Sequence, residues 1–108
     1  MIGNTAPVLN GKTLHQAIAA CARRYFPMGK CEVFIFGSEA AGQAHRGSDV
    51  DIGIKGGAPI PFRVITLFRD DLEKLRTLRM FDVVDFSLAS ENFRREALKT
   101  IIPLNAGQ

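Results

Sequence analysis

The run Phe34-Ile35-Phe36-Gly37-Ser38-Glu39-Ala40-Ala41-Gly42-Gln43-Ala44-His45-Arg46-Gly47-Ser48-Asp49-Val50-Asp51-Ile52-Gly53-Ile54 decides how this chain folds. Its first part, with the preceding Cys31, Glu32 and Val33, is a short stretch rich in Val, Ile and Phe that stops at Gly37, the pattern of a buried strand. Its last part alternates strictly from Asp49 to Ile54. Because successive strand side chains point to opposite faces, Asp49, Asp51 and Gly53 share one face and Val50, Ile52 and Ile54 the other. The first face is left for chemistry and the second for packing.

Between the two strands lies a turn of small residues, with one helical turn expected around Glu39 to Gly42. Gly37 lets a ligand approach the backbone, and the Ser38 hydroxyl with neighbouring amides can donate to phosphate oxygens. Two aspartates spaced by one on a strand set two carboxylates side by side, a hard oxygen donor set that suits Mg²⁺ shared with phosphate and water. The combination predicts binding of a nucleoside triphosphate with a divalent metal. A third carboxylate from a neighbouring strand would complete the clamp. Asp82 and Asp85 are the candidates, and their odd spacing allows only one of them to join Asp49 and Asp51.

Working outward, Thr13 and Gln16 read as a capping box opening a helix that runs to about Phe26, where Pro27 and Gly29 end it. Gly56 to Pro61 is a loop. A helix is expected from Phe62 to Arg79 with Ile65, Phe68, Leu72, Leu75 and Leu78 on its apolar stripe. Phe81 to Leu88 reads as a third strand. Ser90 caps a last helix whose Phe93, Ala97, Leu98 and Ile101 face the core before Pro103 stops it. The order helix, strand, strand, helix, strand, helix defines an α/β (α+β) chain of two layers, a small mixed sheet of three or more strands with helices packed on it. One domain over residues 1–108 is expected, with 1–12 and 104–108 as irregular termini.

Of the 108 residues, 46% are hydrophobic and 23% charged, ordinary for a chain that buries a single modest core. Self-association would enlarge that core. The net charge of +3 is compatible with a polyanionic ligand and supplies no basic tail for DNA or RNA. Cys21 and Cys31 are the only cysteines and read as small, reduced, buried residues. Neither a signal peptide nor a membrane-length apolar window is found, so the expected location is cytoplasmic. His15 is placed away from the motif, and His45 inside it without a role in the chemistry.

From Val33 to Ile54, again at Phe81-Asp82-Val83-Val84-Asp85-Phe86, and at Phe93-Arg94-Arg95-Glu96-Ala97-Leu98, the chain resembles the minimal nucleotidyltransferases of the DNA polymerase β-like superfamily. The resemblance implies that Gly37, Ser38 and Ser48 bind nucleotide, that Asp49, Asp51 and Asp82 hold Mg²⁺ and act in catalysis, and that ATP is the substrate. It also implies a partner, a small helical HEPN-domain toxin to whose tyrosine the family transfers AMP, so that such a chain acts as antitoxin.

The chain departs from that family in one place. Relatives carry basic residues two apart in the turn after Gly-Ser, where this chain has Glu39 and Ala41. Glu39 would repel phosphate if it pointed inward, and Arg46 and Lys55 are the cations available to compensate. The departure supports an alternative, a weakly active or inactive nucleotidyltransferase-fold subunit that neutralises its partner by binding. Transfer to a small molecule such as an aminoglycoside is a more remote reading, since the chain has no second domain to form that pocket.

Overall fold

The computed structural model describes residues 8–27, 29–45 and 47–104. Helix α1 spans Gly11–Tyr25, β1 Cys31–Phe36, the one-turn α2 Gly37–Ala40, β2 Val50–Gly56, α3 Phe62–Glu73, β3 Phe81–Asp85, α4 Glu91–Ala97 and β4 Ile102–Pro103. The strands form one mixed sheet in the order β3-β2-β1-β4. β1 runs antiparallel to both β2 and β4, whereas β2 and β3 are parallel. A parallel pair requires a crossover of a dozen or more residues, and α3 lies within that crossover.

The period-two pattern sorts the sheet into two faces. Val33, Ile35, Val50, Ile52 and Ile54 are almost completely buried against Leu14, Ile18, Cys21 and Ala22 of α1 and Phe68 and Leu72 of α3. Each such fully buried side chain contributes about 1.5–3 kcal/mol through removal of apolar surface from water. On the opposite face Phe34, Phe36 and Phe86 form a second cluster under Ala97, Leu98 and Ile101. Their rings meet edge to face, with centroids 4.9 Å apart for Phe34–Phe86 and 5.2 Å for Phe36–Phe86.

The mixed α/β sheet with packed helices is as the sequence led one to expect, but several boundaries are not. Helix α1 begins three residues earlier, with Asn10 as N-cap; Thr13 Oγ1 accepts from the Asn10 N–H at 3.2 Å and donates to its carbonyl at 2.7 Å. Thr13 is thus the third helical residue and not the cap, and residues 11 and 12 are helical. The expected irregular segments at 1–7 and 105–108 lie outside the described residues.

Helix α3 ends at Glu73, not Arg79. The apolar stripe continues in sequence through Leu75 and Leu78, but after Lys74 the chain leaves the helix through short turns, so that Leu78 is 76% exposed and does not belong to the core. β3 ends at Asp85 because that carboxylate accepts from the Ser87 N–H and hydroxyl, folding the chain into a turn. β4 was not anticipated. Two residues give no periodicity, and Pro103 suggests an end; at a sheet edge, however, a missing N–H costs nothing.

Candidate nucleotide and metal site

The site is built where the polar face of the sheet emerges from under α4. In the parallel register Asp51 of β2 pairs with Asp82 of β3, and in the antiparallel register it pairs with Phe36 of β1. Adjacent strands are about 4.8 Å apart, so the two carboxylates stand side by side. Asp49 lies one residue before β2 and is exposed, as is Asp82, while Asp51 is half-buried. Among the described residues no ion pair or hydrogen bond engages any of the three.

The electrostatic consequence appears on Asp51. Burial pushes its carboxyl above the ordinary range, and the neighbouring charges of Asp82 and Asp49 push it further in the same direction. The half-buried Asp51 charge, with Asp49 and Asp82 nearby and no cationic partner among the described residues, is one that a bound cation would relieve. No three His, Cys, Asp or Glu side chains among the described residues converge closely enough to hold an ion by themselves. The donor set therefore fits a hard cation that takes one or two carboxylates and completes its shell with phosphate oxygens and water, the habit of Mg²⁺.

Gly37 begins α2 directly beside these carboxylates. Its φ of +71° is left-handed, and a Cβ built there would collide with the Asp51 carboxylate. The left-handed backbone favours glycine, and any side chain there would have to push the Asp51 carboxylate aside. The turn is closed by the Ala41 N–H donating to the Gly37 carbonyl at 3.0 Å and the Gln43 N–H to the Ser38 carbonyl at 2.9 Å. The Ser38 hydroxyl has no partner among the described residues. Ser48 is placed differently from a free phosphate donor: its Oγ accepts from the His45 N–H at 3.0 Å within its own turn.

Asp85 takes no part. It pairs with Ile54 on the other side of the pleat, and its Oδ2 accepts from the Ile60 N–H at 2.7 Å. The odd spacing of Asp82 and Asp85 thus resolves in favour of Asp82 as the neighbour of Asp51.

Glu39 does not reach toward the carboxylates as a free charge. Its Oε1 accepts from Arg79 Nη2 at 2.8 Å and its Oε2 meets His15 Nε2 at 2.6 Å, with the Glu39 side chain only 9% exposed. Burial alone would raise its carboxyl, but the bonds from His15 and Arg79 outweigh burial and hold it below the ordinary range. His15 is therefore tied to the motif turn, contrary to its expected remoteness. A lone histidine on α1 gave no sign of this, because its partner is 24 residues away.

Lys55 does not compensate. It lies four residues along β2 from Asp51, roughly 13 Å at the strand rise, and pairs instead with Glu32 at 3.8 Å. Arg46 lies outside the described residues.

A mixed sheet presenting an Asp-x-Asp strand, an in-register Asp on the next strand and a Gly-Ser turn defines a nucleotidyltransferase fold. Residues 31–105 match the family model "Polymerase beta, Nucleotidyltransferase", and the chain belongs to that family. No curated protein matches. Among solved structures the fold is similar to a toxin-antitoxin determined with AMP-PNP, at 22% identity and a TM-score of 0.65, covering 83% of this chain and 71% of that one. It is similar, with a TM-score of 0.67 at the same identity and coverage, to a mutant of the toxin-antitoxin MntA-HpeT. Among the described residues no helix is long and apolar enough to cross a membrane.

Proposed function

We propose that this protein is a Mg²⁺-dependent nucleotidyltransferase that transfers AMP from ATP to a hydroxyl, a tyrosine of a HEPN-domain toxin, and serves as that toxin's antitoxin. The observation that carries the reading is the set Asp49, Asp51 and Asp82, without ion pair or hydrogen bond among the described residues, beside the Gly37-Ser38 turn. Its support from relatives is that the similar structures are toxin-antitoxins, one with AMP-PNP. The other carries two aspartates two positions apart changed to glutamate, the same spacing as Asp49 and Asp51.

In this reading the glycine backbone at Gly37 and the Ser38 hydroxyl orient the triphosphate, and Asp49 and Asp51 hold the metal with phosphate oxygens. The bound cation would neutralise charge on the α-phosphate and the departing pyrophosphate. In this reading Asp82, in register with Asp51, would move onto the metal once nucleotide is bound and would accept the proton of the attacking hydroxyl. The oxygen–phosphorus bond to the acceptor forms as the bond to pyrophosphate breaks. Incubation of the chain and its toxin with labelled ATP and Mg²⁺ tests this. Asp49→Asn is expected to lower transfer about a thousandfold, the effect of losing several kcal/mol of charge stabilisation. Undiminished transfer by that variant would sink the proposal.

The alternative, neutralisation by binding alone, is favoured by one feature: neither Glu39 nor Ala41 supplies a cation to the turn. It predicts that an Asp49→Ala, Asp51→Ala double variant still neutralises the toxin fully.

A further inference from the structure

Arg79 is 14% exposed and lies in the bend between α3 and β3, six residues beyond the helix end at Glu73. Its guanidinium makes two contacts to separate parts of the site. Nη2 donates to Glu39 Oε1 at 2.8 Å, immediately after Gly37-Ser38. Nε donates to the Ser48 carbonyl at 2.8 Å, immediately before Asp49. The adjoining residue continues the grip, since the Met80 carbonyl accepts from the Val50 N–H at 2.8 Å. Two residues further on is Asp82, in register with Asp51.

We propose that Arg79 is the positioning residue of this site, one side chain that sets the Gly37-Ser38 turn, the Asp49-Val50-Asp51 segment and the Asp82 strand at fixed distances from one another. The inference rests on the nucleotidyltransferase reading. It explains why a buried acid is tolerated directly after Gly-Ser: Glu39 is the anchor for the guanidinium and, with His15, is neutralised there. Arginine suits the task, as its rigid planar fork can satisfy two acceptors at once where an ammonium is a single point charge.

The test compares wild type with Arg79→Met, Arg79→Lys and Glu39→Gln by amide hydrogen exchange of the free chain and by calorimetric ATP binding with and without Mg²⁺. In Arg79→Met, exchange at Val50 is expected to accelerate while amides in β1 are unchanged. The tightening of ATP by Mg²⁺ should fall about tenfold, as outer partners of metal ligands typically cost 10–100-fold. Affinity for ATP without metal should stay within about twofold of wild type on the same basis, and Arg79→Lys should recover part of the tightening. Wild-type exchange at Val50, or equal loss of ATP affinity with and without Mg²⁺, would overturn the proposal, the latter because a merely structural role weakens both alike. Should Arg79→Met not fold, Arg79→Lys and Glu39→Gln decide: partial loss of Mg²⁺ tightening supports the role, and wild-type tightening in both refutes it. A wild type with no Mg²⁺-dependent ATP binding refutes the nucleotidyltransferase reading instead, while the Val50 exchange still tests the strap.

Discussion

The two faces of the sheet are made from alternate residues of the same strands, yet they obey opposite rules. On the α1/α3 face Val33, Ile35, Val50, Ile52 and Ile54 of β1 and β2 are apolar, buried and packed in one core with α1 and α3. On the other face the aromatic cluster of Phe34, Phe36 and Phe86 gives way within two residues of β2 to Asp51, whose half-buried charge has no partner among the described residues. One face minimises free energy locally. The other carries an electrostatic cost that the first offsets, as expected where a fold is bent to a chemical task. Truncating a side chain on the first face should therefore lower stability, whereas neutralising the Asp51 charge on the second should raise it.

The largest effect belongs to the packed face. Phe68 is fully buried and meets Phe26 edge to face at 5.2 Å and Tyr25 at 6.2 Å. Phe68→Ala is expected to cost about 3–5 kcal/mol, read as a lower denaturant midpoint. A loss below about 1 kcal/mol would mean that α3 packs more loosely than its burial implies.

On the site face smaller substitutions should already hurt, because there the backbone itself is the packing surface. A Cβ on Gly53 would lie 2.5 Å from Phe34 Cε2 and 2.6 Å from Phe86 Cε1. Gly53→Ala must displace both rings and is expected to cost about 1–3 kcal/mol, the usual range for overpacking. Gly37→Ala should cost about 1–2 kcal/mol from the left-handed backbone alone. It should also lose ATP binding, since its methyl group takes the space of the Asp51 carboxylate; unchanged binding would show that Asp51 has room to move.

How much of this was legible in sequence follows the same division. The strands around Gly37-Ser38 and Asp49-Val50-Asp51 were readable because period-two alternation is local; parity allowed only one of Asp82 and Asp85 beside Asp51, the family resemblance pointed to Asp82, and the parallel register pairs Asp82 with Asp51. The strap was not. Arg79 was assigned to a helix by an apolar stripe that ran past the true end at Glu73, and nothing within the stretch announces partners 31 and 40 residues away. The departure at Glu39 was visible, but its meaning was not: a residue that reads as a phosphate repeller is, in three dimensions, already engaged by Arg79 and His15. β4 escaped for a different reason, since two residues that complete a sheet edge through β1 carry no periodic signal of their own.

The smallest predicted effect is the sharpest test of the comparison, because it sets two carboxylates twelve residues apart against each other. Glu39 has its folded pKa lowered, so it contributes stability above its unfolded value of about 4.3, and that contribution is lost as pH falls through the lower folded value. Asp51 has its folded pKa raised, so ionising it penalises the folded state. The cost is absent at low pH and develops as pH rises from about 3.9, the unfolded value, through the raised folded value. At neutral pH Asp51→Asn should therefore raise the melting temperature and Glu39→Gln should lower it. Near pH 3, where the unfolded forms of both acids are largely protonated, the gain from Asp51→Asn should shrink toward zero, and the loss from Glu39→Gln should shrink as pH passes below the lowered folded value. If Asp51→Asn instead destabilises at neutral pH, the carboxylate has a partner that offsets its burial, and the site face is not storing the charge that a metal ion would relieve.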